Sequence, residues 1–572
     1  VAELASADVL IGHNILDYDI PVLQRIYGLE TKAKLFDTLV AARLLWPDAK
    51  NNPHGGNGVD DFAKLFGMKK VGKDIEDWSE WTPLMEKRCI NDTDVQHRIF
   101  DYIKGRAKKF PGALRIEHAV ASLISWQTDN GVRIDVAGAE KMAEYMEVEM
   151  ASALDSLHEA FPPLIETMKT HWWVDPSTGK QYGTKKGAPK EIQRWLEKGP
   201  AKTKEHPFNP GSSQQIADRF LAKYGWKAPT TEAGNPSVTE DILTGIDFEE
   251  AGLLLKYQMA DKRLQHLTDW ITRARECRTP GVIHPRINTN GAATGRATHQ
   301  QPNQTACPKV VVGPDGPIMG YPGRYGYEMR SLWIPTQRGW VMVGGDASGL
   351  ELRMLGAALA RWDGGEYARV VVSGDIHTFN MEAGGLDTRD QSKTTIYAFL
   401  YGAGDEKIGT TIADHPSLSP DQREKYKGKS RKKIGRQFRD RFGENLSAMR
   451  YLVDWCQQGA AGLGYVVLLD GRRAPVRSAH SALNTKLQGD GAVLMKLSMI
   501  CFHAQLQDLR EKRLYAPMLW PHDEFQCESH PEHAERVGQA IPTAIKEAGK
   551  RLSVQCELDG EYKIGANWAE TH

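Results

Sequence analysis

The sequence predicts an α/β multidomain chain, and three observations lead there. The chain has 572 residues, too many for a single hydrophobic core. Residues 1–110 alternate short apolar strands with helical patterns, and mixed strand and helix return after residue 280, on the far side of a long helical stretch. Two apolar runs far apart, VMV at 341–343 and LYAPML at 514–519, each lead into acidic residues.

The bulk properties narrow the class. Composition is that of a globular protein, 41% hydrophobic and 26% charged. No apolar run approaches the ~20 residues of a membrane span, so no membrane partner is expected. Seven cysteines are scattered without a CxxC pair, which argues against a disulfide framework and a structural zinc site and for a reducing cytosol. Formal net charge is zero, so composition gives no sign of nucleic acid, although one groove can be basic while the rest compensates. The chain begins with Val1 and shows no signal peptide, which reads as a fragment or a processed product.

Taken in order, ADVLIGHN reads as a strand ending in a polar turn, and FDTLVAARLLW as a helix with an apolar stripe. Residues 112–165 read as long helix. From 171 to 210 Gly, Pro and Lys dominate; between Trp172 and Pro207 there are eight Lys/Arg against four Asp/Glu, the pattern of a loop-rich insertion or linker. Helices resume in SSQQIADRFLAKYG and EEAGLLLKYQMADKRLQHLTDWITRA, and a basic helical section covers about 361–460.

VMVGGDASGLELRML at 341–355 is expected to be a buried strand that breaks at two glycines, leaving Asp346 at its end, where an unpaired carboxylate is costly. LYAPMLWPHDEFQCE at 514–528 reads as a hairpin exposing Asp523 and Glu524 at its tip. Two strand-end aspartates can share hard divalent cations, which take carboxylates and substrate phosphates as ligands; each alone can equally be a solvated turn residue. The third element decides between these readings. In DTRDQSKTTIYAFLYGAG at 387–404, Arg389, Lys393, Tyr397 and Tyr401 recur every fourth residue and share one helix face. Two cations followed by two aromatics suit a triphosphate, then a sugar and base.

Together these segments resemble the family A DNA polymerases: DASGLELR its motif A, RDQSKTTIYAFLYG its motif B and PHDE its motif C. TGRATHQQPNQ, GDIHT, YGAGDEKIG, LDGRRAPVRSAHSALNTKLQ and GANWAETH are similar to the replicative polymerases of T-seven-like podophages. The resemblance implies a right-hand polymerase of palm, fingers and thumb, acting on primer–template DNA and dNTPs with two Mg²⁺ ions, Mn²⁺ being able to substitute. It implies Asp346, Asp523 and the Ala347 carbonyl as metal ligands, and Lys393 as proton donor to pyrophosphate. Arg389, Lys393 and His377 would meet the triphosphate. Glu351, packed on Tyr401, would exclude a ribose 2′-hydroxyl, and Tyr397 would allow ready use of dideoxynucleotides. Arg296 and Gln488 would probe the minor groove at the primer end, supported by Asn484 and His522. Plainer rivals are that Glu351 pairs with Arg353 or Arg389, that His377 caps a helix, and that Arg296 binds only a phosphate.

The amino-terminal region resembles the later part of an RNase H-like 3′→5′ exonuclease domain, with Asp19 in GHNILDYDIPVL and Asp92 in KRCINDTDVQ as metal ligands. Arg88 stands where that family has tyrosine, and the first motif, an Asp-x-Glu strand, should precede residue 1. Little or no proofreading is therefore expected, Val1 favouring truncation over a missing part encoded elsewhere. In podophage members an insertion at the position of 171–208 binds host thioredoxin as a processivity factor. That partner stands here against the slightly preferred reading of a loop touching DNA phosphates through Lys185, Lys186 and Lys190.

The expected domains are a truncated exonuclease-like domain over 1–111, a thumb over 112–280, palm over 281–360 and 465–572, and fingers over 361–464. The expected place of work is the cytoplasm of a bacterial host. Rival functions are a nucleotide- or DNA-binding protein without catalysis, a single-subunit RNA polymerase, and a nuclease. The complete set Asp346, Asp523, Arg389 and Lys393 opposes the first, the bulky acidic Glu351 the second, and the absent first exonuclease motif the third.

Overall fold

The computed structural model describes residues 1–48, 52, 54–72, 75–231 and 233–572. The chain divides into two compact units. One comprises 1–133, 277–318 and 325–572; the other comprises 134–276 and 319–324.

The larger unit begins with a two-stranded parallel sheet, β1 (Val9–Gly12) and β2 (Lys34–Asp37). Asp37 ends β2 and caps helix α1 (Thr38–Leu45), accepting the Leu39 and Val40 amides. It also accepts the amides of Asn14 and Leu16 at 3.0 and 3.1 Å, so one buried carboxylate ties the turn after β1 to the start of α1. Helix α2 (Pro83–Ala107) closes a small apolar core through Val95, Ile99 and Ile103. Helix α3 (Pro111–Asn130) ends at Gly131, which has φ 71°, so the long helix expected over 112–165 is broken.

The main sheet has four antiparallel strands: β3 (Val341–Ala347), β4 (Tyr515–Leu519), β5 (Glu524–Ser529) and β6 (Gly560–Gly565), in the order β4-β5-β3-β6. Helices α4 (Leu350–Asp363), α5 (Ile376–Gly384), α6 (Arg389–Leu400), α7 (Ala482–Gln505) and α8 (Ala534–Arg551) share its core.

β3 does not stop at its glycines. It pairs on both sides through Gly344 and Gly345 as far as Asp346. A Cβ on Gly344 would collide with the Gln526 side chain, and one on Gly345 with the Glu561 carbonyl and, at 3.1 Å, Ile541 of α8. The glycines permit close approach in a crowded central strand rather than ending it. β5 is likewise buried at every position instead of alternating, as expected for a strand covered on both faces.

In the smaller unit, helices Val136–Ala160 and Glu249–Glu276 run antiparallel, with Arg275 meeting Glu140 at 2.5 Å. Phe161, Phe208, Phe220, Leu243 and Leu254 form its core. The expected loop-rich insertion is instead a three-stranded antiparallel sheet of Leu164–Val174, Gln181–Tyr182 and Glu197–His206. The first seven residues of its central strand are exposed, so no alternating core face marks it in the sequence. Lysines lie over its aromatic rings: Lys185 over Trp173 and Lys202 over Trp172, both at 4.9 Å.

Gly345→Ala is expected to cost about 1–3 kcal/mol by overpacking β3 against β6 and α8. A lower urea midpoint with native helix content checks this; an unchanged midpoint would contradict it.

Candidate active site

The register of the main sheet builds the site. Asp346, the penultimate residue of β3, lies opposite Glu524 of β5 and Glu561 of β6. Directly opposed residues point to the same face, so three carboxylates share it. The β4–β5 turn brings Asp523 alongside, after His522 at φ 53°. Glu524 is not exposed at a hairpin tip as expected; it is buried. Its oxygens accept from Trp568 Nε1 at 2.5 Å and Gln526 Nε2 at 2.6 Å, with His572 Nδ1 at 3.1 Å and Arg330 at 3.6 Å. Burial pushes the Glu524 carboxyl up, but these partners outweigh it and hold it below its usual value.

The two aspartates have no such compensation. Burial, then Glu561 and Glu524, push the Asp346 carboxyl up. Burial, then Glu351 and, more weakly, Asp346, push that of Asp523 up to about 6. Among the described residues neither carboxylate has an ion-pair partner. Nor, among them, do three or more His, Cys, Asp or Glu side chains form a ready metal group. Two converging oxygen donors, destabilised as anions, do fit a hard cation that completes its shell with phosphate oxygens and water.

Glu351, in the first turn of α4, joins this group. Its Oε1 accepts from the Tyr401 hydroxyl at 3.3 Å and lies 3.8 Å from Arg296. The rival pairings are absent: Arg353 donates to the Glu557 carbonyl, and Arg389 pairs with Asp375 at 2.9 Å. Burial, then Glu351, raises the Tyr401 hydroxyl to about 12. Tyr397, half-buried, stacks on Tyr401 with centroids 6.4 Å apart, and its hydroxyl is raised by burial and then by Glu351 and Asp523.

Helix α6 presents the expected face. Gln391, Ser392, Thr395, Ile396, Phe399 and Leu400 are buried, leaving Arg389, Lys393 and Tyr397 on the other side, followed by Tyr401 at the cap. A Thr388–Gln391 capping box starts the helix. Asp375 caps α5 by accepting the His377 and Thr378 amides, so His377 is not the cap. Burial, then Arg389 and Lys393, lower the His377 imidazole, which places it beside both cations. Asn484 and Gln488 lie one turn apart and half-buried on α7. Further along α7, Gly491 and Met495 line a small cavity with Arg296, His522 and Asp523.

The remaining predicted residues lie elsewhere. Asp19 ends a turn of π-helix and is raised by burial, with Asp37 adding to the shift. Asp92 on α2 pairs with Arg88 at 3.7 Å. Their interactions are separate, and Asp37 rather than Asp92 is the carboxylate beside Asp19. Sequence reading missed Asp375 and Asp37. The signal for each was a short polar residue just before a helix, in DIHT and FDTL.

Comparison with known proteins identifies the family. The sequence profile described as DNA polymerase family A matches residues 183–570. The chain belongs to that family. The polymerase is 29% identical to the DNA-directed DNA polymerase of Enterobacteria phage T3 and 29% identical to that of Escherichia phage T7. Each alignment covers 100% of this chain and 93% of the relative. Its fold is similar to the POL domain of Pol1 from M. smegmatis, solved in complex with a DNA primer-template and dNTP. The TM-score is 0.68 at 17% identity, covering 95% of this chain and 84% of that one. Among the described residues, no helix of the polymerase is long and apolar enough to cross a membrane.

The raised Asp523 carboxyl has a thermodynamic consequence. Its pKa in the folded chain, about 6, exceeds the unfolded value of about 3.9, so the folded state binds the extra proton. That contribution is fully present below about pH 4 and is lost as pH rises through about 6. Without divalent cations, D523N is therefore expected to come within a few tenths of a degree of wild type at about pH 3.5 and to melt about 1–2 °C higher at pH 7.5. Mg²⁺ is expected to raise the wild-type midpoint only. Parallel pH curves for the two proteins would contradict the assignment.

Proposed function

We propose that this DNA polymerase extends a primer 3′-hydroxyl by phosphoryl transfer at Asp346 and Asp523. The observation that carries the reading is their convergence, uncompensated, beside Glu351 and a helix face bearing Arg389, Lys393, Tyr397 and Tyr401. Asp346, Asp523 and the Ala347 carbonyl would hold two Mg²⁺ ions, which would supply Lewis-acid charge for the attacking hydroxyl and the triphosphate. Arg389 and His377 orient the triphosphate, and Lys393 donates a proton to the departing pyrophosphate. Arg296, Gln488, Asn484 and His522 hold the terminal pair from the minor groove, where acceptors are common to every pair.

Glu351 sets sugar choice. Held by Arg296 and Tyr401, it stands where a 2′-hydroxyl would enter, which favours a DNA polymerase over a single-subunit RNA polymerase. Tyr397 supplies a hydroxyl that substitutes for a missing 3′-hydroxyl. In domain terms we assign palm to 281–360 and 465–572, fingers to 361–464 and thumb to 112–280. The separate compactness of 134–276 supports the thumb assignment. Residues 1–111 are assigned as exonuclease-like with proofreading weak or absent, and the Arg88–Asp92 pair, which occupies one predicted ligand, supports that assignment. The exposed sheet at 164–206 contacts DNA phosphates through Lys185, Lys186 and Lys190; thioredoxin binding there is the second reading. The setting is phage genome replication in the host cytoplasm.

A primer-extension gel with a 5′-labelled primer, Mg²⁺ and dNTPs tests the core of this. D346N and D523N are each expected to lose at least about 10³-fold in rate, as several kcal/mol of metal-dependent stabilisation implies. E351A is expected to gain ribonucleotide use, and Y397F to lose dideoxynucleotide use. Without dNTPs the primer should stay intact; Mg²⁺-dependent shortening would overturn the proofreading assignment. Full activity in both aspartate variants would overturn the site.

A further inference from the structure

Among the described residues outside the active site, one cluster brings several buried charges together. Glu117 on α3, Lys496 on α7 and Arg472, next to the strand Arg473–Pro475, have side chains at most 4% exposed. Arg472 and Lys496 both donate to Glu117 Oε1. Asp470 grips the Arg472 guanidinium at 2.6 and 2.8 Å. Beside them Lys486 meets Asp490 at 2.6 Å, and the other Asp490 oxygen accepts the Leu469 amide at 3.0 Å. Buried ions on this scale are a poor source of stability, because desolvation offsets most of the attraction. They do fix directions, above all through the planar fork of an arginine.

The fork points to one segment. Arg472 Nη1 reaches Asn290 Oδ1 at 3.4 Å, and Thr289 Oγ1 donates to Glu117 Oε2 at 3.4 Å. Asn290 Nδ2 in turn donates to the Arg43 carbonyl at 2.8 Å. Gly295, at φ +80°, sits so close that a Cβ would lie 3.4 Å from Arg472 Nη1 and 3.3 Å from Asn290 Oδ1. From α7, a Cβ on Gly489 would come 3.1 Å from the Thr294 carbonyl. Residues 289–295 are thus held along their length, and the next residue is Arg296.

We propose that the Glu117–Arg472–Lys496 cluster, acting through Thr289 and Asn290, positions Arg296 so that its guanidinium meets the primer-terminal pair in one orientation. The proposal rests on the minor-groove role of Arg296 given above. Arg472, Glu117 and Asn290 are positioning residues; none touches substrate. The cluster makes discrimination at the primer end depend on groups buried beneath it.

The test compares single-turnover extension from matched and mismatched primer ends. N290A removes the bridge while leaving every buried charge paired; R472K keeps the charge and removes the fork. Each is expected to slow matched extension about tenfold and to shrink the matched-to-mismatched ratio at least about threefold. N290A/R296A is expected to equal R296A within about twofold, because both changes act through one group. Matched and mismatched rates falling together, or effects that multiply in the double variant, would show a merely structural role and overturn the proposal. A ratio shift in R296A but not in N290A or R472K would overturn the positioning role alone. No shift in R296A itself would overturn the Arg296 reading and the proposal with it.

Discussion

The constraint on which this molecule depends is that two carboxylates, Asp346 and Asp523, are held together where, among the described residues, neither has an ion-pair partner and burial outweighs the nearby positive groups. Like charges in a partly desolvated place repel strongly, so something must hold them by force of backbone. The sheet does this. β3 is bonded on both sides up to Asp346, and the β4–β5 turn cannot open without unpairing β5. The glycines of β3 follow from the same demand: the strand carrying the carboxylate must lie close to β6, Gln526 and α8. Glu524 shows the contrast. One residue from Asp523 and more deeply buried, it has partners on both oxygens and sits low.

The surrounding residues extend that logic. Glu351 adds a third negative group but is moderated by Arg296 and Tyr401. It is therefore held in place at the edge of the site. The cations stand one turn apart at the start of α6, on the solvent side of a helix whose other side is buried. On that buried side Gln391 donates to the Ile412 carbonyl at 2.7 Å, while the Ser392 and Thr395 hydroxyls have no hydrogen-bond partner among the described residues.

How much of this the sequence revealed varied with the kind of signal. The face of Arg389, Lys393, Tyr397 and Tyr401 was legible because helical spacing converts directly into geometry. The strand-end positions of Asp346 and Asp523 were legible because apolar runs stop at them. The continuation of β3 was not, since Gly-Gly signals a break unless one knows what packs against it. The sheet at 164–206 was hidden because exposure on both faces removes the alternation that marks a strand. Asp375 was missed, since a short polar residue before a helix is common, and only the fold shows that it caps α5 and holds Arg389. Glu117, Arg472 and Lys496 lie 355 and 379 residues apart across their bonds, so no local pattern announces them.

Two kinds of ion pair serve different ends here. The Arg389–Asp375 pair has side chains 53% and 45% exposed, where water screens the attraction and the pair is worth little. Arg389 can leave Asp375 at small cost, and the Asp375 carboxylate stays in solvent while still capping α5. The Arg472–Glu117 pair, 4% and 0% exposed, cannot exchange in this way, since releasing either partner would strand a buried charge. The exposed pair can therefore be broken at little cost, whereas the buried one holds its neighbours in place. Arg296, 30% exposed against the 25% of Glu351, stands between the two. Its side chain lines a cavity with His522 and Asp523, while the segment that precedes it is clamped by the buried cluster.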